Sequence, residues 1–261
     1  MHLNYGFILE DFPVVLKALR VTFALTLISY LGAFLIACLM GSVILHKTKI
    51  LYPILVGFNT IVKGIPLILQ LLFCYYGIPQ VIKAISETTG LITYDPKNLS
   101  YFGFAAVAFS VNYGAYMTDV VVSSFKAVDH GQREAAASIG MTTAQGILYI
   151  TGPQALAIAI PGLSNYFMWL LKATSLASIT NVFEMLAVAR ASTADNYAIL
   201  EGYIVAAIIY WGVCLIAESL LKKLNQLVNH EVKEHEHGRT GTYQKEAWRK
   251  RNLKGCEPAG E

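Results

Sequence analysis

The chain has 261 residues, of which 55% are hydrophobic and only 14% are charged, and its formal net charge is +3. Soluble domains carry about a quarter charged residues, so this composition excludes an ordinary soluble protein and indicates a membrane protein. The excess of positive charge lies entirely from Lys222 onward.

The sequence predicts five membrane spans. The first covers residues 14–45 and has no charged residue after Arg20. A helix of about 20 apolar residues crosses a bilayer, so this run is long enough for a span and too long for a cleaved signal peptide. Its start, through Lys17 and Arg20, is interpreted as an interfacial helix. The remaining spans are predicted at residues 50–76, 101–125, 156–182 and 197–221.

The basic tail sets the predicted orientation, because Lys and Arg near span ends favour the cytoplasmic side. A cytoplasmic C-terminus and five spans place the N-terminus outside and the loop at residues 46–49 inside. Lys17 and Arg20 favour the opposite orientation but are outnumbered by the cations of the tail. Residues 77–100 are then external and are predicted to form a short amphipathic helix and a turn around Asp95-Pro96.

The sequence divides into two regions. Residues 1–225 are predicted to form the transmembrane domain, and residues 226–261 a polar, flexible cytoplasmic tail. Two His residues in the tail, in the stretch HEHG, are too few to predict a metal site. The four cysteines show no disulfide or metal-ligand spacing.

A polar insert interrupts the apolar pattern at residues 129–142, DHGQREAAASIGMT. Asp129, with Gln132 three residues later, predicts a helix start, and Gly140 predicts its end. About three turns are too few for a stable isolated helix, so a partner must hold it. The small residues at 135–138 would let the backbone of a soluble partner approach closely, as in a helix-in-groove contact. The alternative is a surface helix lying on lipid headgroups.

The same region resembles a known family. Residues 131–163, GQREAAASIGMTTAQGILYITGPQALAIAIPGL, resemble the EAA motif of ABC-importer permeases. Three flanking segments are similar to those of the polar amino-acid permeases within that family: 63–73 (KGIPLILQLLF), 114–128 (GAYMTDVVVSSFKAV) and 170–186 (LLKATSLASITNVFEML). The resemblance extends over about residues 22–221.

This resemblance implies an all-α integral membrane protein with about five transmembrane helices and a cytoplasmic coupling helix at about residues 129–145, the fold of type I ABC importer permeases. It implies a permease subunit that forms half of the pathway of an ATP-driven importer of polar amino acids in a bacterial inner membrane. The implied ATPase-coupling residues are Gly131, Gln132, Glu134, Ala135, Ala136 and Gly140.

The implied partners are separate ABC ATPase subunits, a second permease chain of the same or a homologous sequence, and an extracytoplasmic solute-binding protein. The chain contains no G-x-x-x-x-G-K-[ST] sequence, so ATP and Mg²⁺ are expected on the ATPase subunits and no cofactor on this chain. No nucleic-acid partner is expected.

Polar residues within the spans are candidates for the substrate pathway. A charge at the bilayer centre costs about 2.5–3.5 kcal/mol, so such groups usually face a cavity or one another. Lys63 or Lys172 could meet the carboxylate of a zwitterion, and Asp119 or Glu184 its ammonium. The alternatives are that these charges reach the membrane surface or pair with each other, and that the hydroxyl residues serve helix packing. The candidates are Lys63, Pro66, Gln70, Asn112, Asp119, Lys172, Thr174, Ser175 and Glu184.

Two other classes of protein are alternatives to an importer permease. A gradient-driven secondary transporter or channel subunit would need no partner groove and would tolerate charge reversal at Glu134. A membrane enzyme would need a clustered acid, base or nucleophile, and the sequence contains no Ser/His/Asp or Cys/His set that suggests one. The importer permease is therefore the leading hypothesis, and the gradient-driven transporter is the alternative.

Overall fold

The computed structural model describes residues 3–90, 95, 99–194 and 197–254, with side chains as far as Val228. The described chain is helical throughout and contains no strand. The helices are α1 Tyr5–Lys17, α2 Leu19–His46, α3 Leu51–Gly64, α4 Leu67–Thr89, α5 Tyr101–Ala127, α6 His130–Ser138, α7 Thr143–Gly146, α8 Gly152–Ala173, α9 Met185–Ser192 and α10 Ile199–Lys254. A π-helical turn, Ile147–Thr151, joins α7 to α8, and a 3-10 helix, Thr174–Thr180, follows α8.

Four described helical stretches are long and apolar enough to cross a membrane: Tyr5–His46, Leu67–Thr89, Thr143–Thr180 and Ile199–Val228. The remaining predicted span corresponds to α5, which has 27 residues, also enough for a crossing, but is more polar. These helices confirm the prediction of an all-α integral membrane protein.

Helix α5 lies at the centre of the bundle, which explains its polarity. It packs most extensively against α2 and also against α8, α4 and α3. Phe109 and Met117 of α5 are fully buried beside Leu25 of α2 and Leu170 of α8. A helix surrounded by other helices needs a less apolar surface than one that faces lipid. Helix α5 can therefore contain the buried polar residue Asn112 and still serve as a membrane span.

A second core joins the N-terminal helix to the C-terminal part of the bundle. Val15 of α1, Met185 of α9, and Val205 and Ile209 of α10 are buried together. The chain breaks between α1 and α2 at Ala18, between the two cations of the predicted interfacial segment. The first predicted span therefore consists of two helices in series.

The predicted boundaries of the second span are wrong. The helix breaks at Ile65 and Pro66, so α3 is a separate helix and the apolar span is α4. Helix α4 continues beyond Tyr76 to Thr89, so the helix predicted after residue 77 is the C-terminal part of α4 and not a separate element. Pro79 is buried within α4, where packing compensates for the one backbone hydrogen bond that a helical proline lacks.

The helices of the fourth and fifth predicted spans also extend beyond their predicted boundaries. The fourth span is part of a helical stretch that begins at Thr143 rather than at residue 156. Helix α10 continues without a break across residue 225 to Lys254. The flexibility of the tail stays a prediction. The turn predicted around Asp95-Pro96 lies outside the described residues, apart from Asp95 itself.

Candidate functional site: a docking helix and a polar pathway

The polar insert forms α6, as the sequence predicted. The Asp129 side chain accepts a hydrogen bond from the backbone N–H of Gly131 at 3.1 Å, which caps the first turn. Gly140 has a φ of 80°, a conformation that favours glycine, and follows directly after the helix C-cap. The amides of Gly140 and Met141 donate to the carbonyls of Ala137 and Ala136, which closes the helix end.

Ala136 is the one buried residue of helix α6, and the other residues of the helix are exposed or half-buried. Ala136 is only 4% exposed and lies against Gly146, where an added Cβ would be 3.6 Å from the Ala136 Cβ. Of the other five predicted coupling residues, Gln132 is half-buried and four are exposed. The exposed residues of this set are Gly131, Glu134, Ala135 and Gly140. The exposed residues Gly131, Ala135, Ala137 and Ser138 carry little side-chain bulk, so another backbone can approach this part of the helix closely.

A capping box, not noticed in the sequence, fixes the segment that follows α6. The Thr142 hydroxyl accepts from the backbone N–H of Gln145 at 3.3 Å, and the Gln145 side chain accepts from the backbone N–H of Thr142 at 2.9 Å. The sequence Thr-Thr-Ala-Gln carries the signature of this box, a Thr followed three residues later by Gln. This start leads through the π-helical turn into α8, so α6 is joined to a span by a capped helix rather than by a loose loop.

Two pathway candidates, Lys63 and Asp119, lie together. The Lys63 Nζ is 2.6 Å from Asp119 Oδ2, and the two side chains are 22% and 68% exposed. They line a cavity of about 440 Å³ between α2, α3 and α5. The predicted alternative, in which intramembrane charges pair with each other, therefore applies to these two residues.

Pro66 and Gln70 lie at the break between α3 and α4. Pro66 is the N-cap of α4 and its extended backbone turns the chain there. Gln70 Nε2 donates to the carbonyl oxygens of Val62 at 2.7 Å and Ile65 at 2.9 Å. These carbonyls lie at the end of α3, where the helical ladder stops, and a buried carbonyl needs a donor. In this structure Gln70 stabilises the break.

Glu184 is fully buried and caps α9. Its carboxylate accepts from the backbone N–H groups of Leu186 at 2.9 Å and Ala187 at 2.8 Å, and from the Tyr210 hydroxyl at 2.7 Å. The amide of the next residue, Met185, donates to the Thr22 hydroxyl at 3.2 Å. These contacts join α9 to α10 and α2 and account for a buried carboxylate without a substrate.

The remaining candidates are spread over several environments. Asn112 is buried, whereas Asp119, on the same helix α5, opens to the cavity. Lys172 is exposed near the end of α8. Thr174 is buried and donates to the Leu171 carbonyl, and Ser175 donates to the Lys172 carbonyl. Among the described residues, no group of three or more His, Cys, Asp or Glu side chains is placed to hold a metal ion.

Several long apolar helices around a central span, with a short polar helix between two of them, define a multi-pass membrane permease. The sequence model of the family described as "Binding-protein-dependent transport system inner membrane component" matches residues 18–230. The chain therefore belongs to this family.

Individual relatives with similar sequences are described as permeases. The chain is 28% identical to the probable amino-acid ABC transporter permease protein PatM of Vibrio harveyi, over 83% of this chain and 92% of PatM. It is 31% identical to the probable amino-acid permease protein YxeN of Bacillus subtilis, over 85% and 94% of the two chains. It is 33% identical to the L-cystine transport system permease protein TcyB of the same organism, over 78% and 82%.

Solved structures share the fold. One described as an amino acid ABC transporter with histidines has a TM-score of 0.73 at 26% identity, over 87% of this chain and 99% of that chain. An inward-facing methionine ABC transporter, MetNI, has a TM-score of 0.58 at 14% identity, which shows the fold alone. These findings confirm the predicted ABC-importer permease with the type I fold, and they do not support the gradient-driven alternative.

Proposed function

We propose that the chain forms half of the translocation pathway of an ATP-driven importer of polar amino acids, and that α6 couples it to a separate ATPase. The observation that carries this proposal is the geometry of α6, a capped polar helix in which Ala136 is the one buried residue. The relatives named above are described as amino-acid or cystine permeases, which supports the substrate class.

Charge placement supports a cytoplasmic location for α6. Lys47 and Lys49 follow α2, Lys126 ends α5, and the basic tail begins at Lys222 of α10. Helices α2 and α5 therefore carry their cations at the end of the bundle that bears α6. Positive residues concentrate on the cytoplasmic side, so α6 and the C-terminal tail are both assigned to the cytoplasm.

Coupling would then proceed through rigid connections. Closure of a pair of ATPase subunits around ATP and Mg²⁺ would draw together the α6 helices of two permease chains. The capping box at Thr142 transmits the displacement to α8, and the short link Val128-Asp129 transmits it to α5. A solute-binding protein on the outer side would deliver the amino acid to the opened pathway.

The test is ATP hydrolysis and amino-acid uptake by the reconstituted complex with its binding protein, comparing the native chain with Glu134→Lys. The exposed Glu134 carboxylate is placed to contact a partner, so charge reversal is expected to lower both rates at least about tenfold. Glu87→Lys, which reverses an exposed charge on α4 beside Lys83, is the matched control and is expected to retain both rates.

Insertion of each variant in the membrane is checked first. Loss of coupled hydrolysis in Glu134→Lys alone supports α6 as the docking helix. Unchanged hydrolysis and uptake in both variants would contradict the proposal and make a gradient-driven transporter the leading account.

A further inference from the structure

The Lys63 ammonium occupies a site that the rest of the chain builds around it. Asp119 Oδ2 lies 2.6 Å from Nζ, and the centroid of the Tyr116 ring lies 5.7 Å from Nζ. In the amide orientation that satisfies both of its polar atoms, Asn59 accepts from Nζ at 3.0 Å and donates to the Ala115 carbonyl at 2.9 Å. A carboxylate, an amide oxygen and an aromatic face are the groups with which proteins bind a primary ammonium ion.

Two members of this site, Asn59 and Tyr116, do not depend on the Lys63 side chain for their positions. Asn59 is 8% exposed and is held by the Ala115 carbonyl of α5. The Tyr116 hydroxyl donates to the Lys63 backbone carbonyl at 3.3 Å, a contact that any side chain at position 63 would keep. Because these groups are fixed by backbone contacts, they would remain in place if the lysine side chain moved away.

The site opens into the cavity between α2, α3 and α5. Asp119 is the exposed member of the site, and the hydroxyl residues Thr60 and Ser123 also line the cavity, together with Lys126. The described lining thus holds two ammonium groups and one carboxylate. The single carboxylate is already paired with Lys63.

We propose that Lys63 is a tethered occupant of a substrate ammonium site, and that it restricts the pathway to amino acids without a positively charged side chain. This inference rests on the proposed function, because it places the cavity on the amino-acid pathway. The ammonium of an incoming zwitterion takes the place of Nζ beside Asp119, and its carboxylate pairs with the displaced Lys63. This exchange leaves no charge without a partner.

A cationic amino acid cannot complete the same exchange. Its second ammonium enters a cavity that already holds Lys126 and has no further carboxylate among its lining residues. Like charges brought close together repel one another, so discrimination arises from repulsion as well as from fit. Removing the Lys63 charge should therefore admit cationic amino acids.

The test measures equilibrium binding of radiolabelled L-glutamine and L-arginine to the purified permease–ATPase complex in nanodiscs without ATP. The wild-type complex is expected to bind glutamine at least about tenfold more tightly than arginine. Lys63→Met is expected to reduce that ratio at least about tenfold, and Lys63→Arg to retain it. Lys83→Met, which removes a lysine paired with Glu87 outside the cavity, is the matched control and should leave the ratio unchanged.

Three results would overturn the inference. These are equal binding of arginine and glutamine by the wild type, an unchanged glutamine-to-arginine binding ratio in Lys63→Met, and no glutamine binding by either the wild type or Lys63→Met. Lys126→Met distinguishes occupation of the ammonium site by Lys63 from a general electrostatic effect of positive charge in the cavity. Lys126 lines the cavity but lies outside the ammonium site. If Lys126→Met reduces the glutamine-to-arginine binding ratio as much as Lys63→Met does, the selectivity arises from the general positive charge of the cavity. That result would refute the proposal that Lys63 occupies the ammonium site. Failure of the wild-type complex, with its binding protein, to import any amino acid would instead refute the proposed function.

Discussion

The contact between α2 and α5 requires glycine at position 114, and Gly114→Ala tests how tightly the centre of the bundle is packed. A Cβ at this position would lie 2.8 Å from Ile36 Cγ2, 2.9 Å from Ile36 Cβ and 3.2 Å from the Ala33 carbonyl oxygen. The last two atoms cannot move by a side-chain rotation, since one is the Cβ and the other is backbone. The two helices would have to separate by a few tenths of an ångström.

The size of the effect follows from two opposing terms. Overpacking a tight core position costs about 1–3 kcal/mol. Alanine is favoured over glycine inside a helix by about 0.5–1 kcal/mol. Gly114→Ala should therefore lower the free energy of unfolding by up to about 2.5 kcal/mol, the largest difference between these two terms.

Gly57→Ala is the matched control. Gly57 also lies inside a helix, α3, but an added Cβ would meet nothing within 4 Å in this chain. Only the helix-propensity term applies, so the variant should gain up to about 1 kcal/mol. The assay is thermal unfolding of the full chain in detergent, compared among wild type and the two variants. A Gly114→Ala midpoint at or above that of Gly57→Ala would refute the close contact.

Two further predictions concern side chains that hold the backbone. Gln70→Leu removes the donor for two carbonyls at the α3–α4 break and should lower the free energy of unfolding by about 1–3 kcal/mol, measured in the same assay, whereas a variant as stable as wild type would show that the break needs no donor. Glu184→Ala removes the cap of α9 and the partner of Tyr210, and should destabilise by about 2–3 kcal/mol, more than Tyr210→Phe. The reverse order of the two variants would contradict the capping role.

The sequence was informative where a feature is local. The polar insert, its Asp129 start and its Gly140 end are set by neighbouring residues, and α6 follows the prediction closely. The predicted boundaries of the second span are wrong because α4 runs through Pro79, and the burial of Pro79 in the bundle is a property of the whole fold rather than of the local sequence.

The same contrast between local sequence features and properties of the whole fold applies to the charged residues in the spans. Lys63 and Asp119 are 56 positions apart, so their pairing depends on α3 and α5 being neighbours, which no local pattern reveals. Glu184 looked like a pathway residue because a carboxylate in an apolar region suggests function. Its position immediately before a short apolar helix, where its side chain can accept the free amides, was the overlooked sign of a cap.

The location of the Lys63–Asp119 pair relates the docking helix to the cavity. Helix α5 carries Asp119 and ends only a few residues before α6, and it packs closely against α8, which α6 reaches from its other end. A displacement of α6 would therefore move α5 and α8 together. Lys63 belongs to α3, which is separated from α4 by the break at Pro66 and packs less extensively on α5. The ion pair thus spans the boundary between helices directly attached to α6 and a helix that is not. Relative movement at that boundary would separate Nζ from Asp119 and open the ammonium site to a substrate.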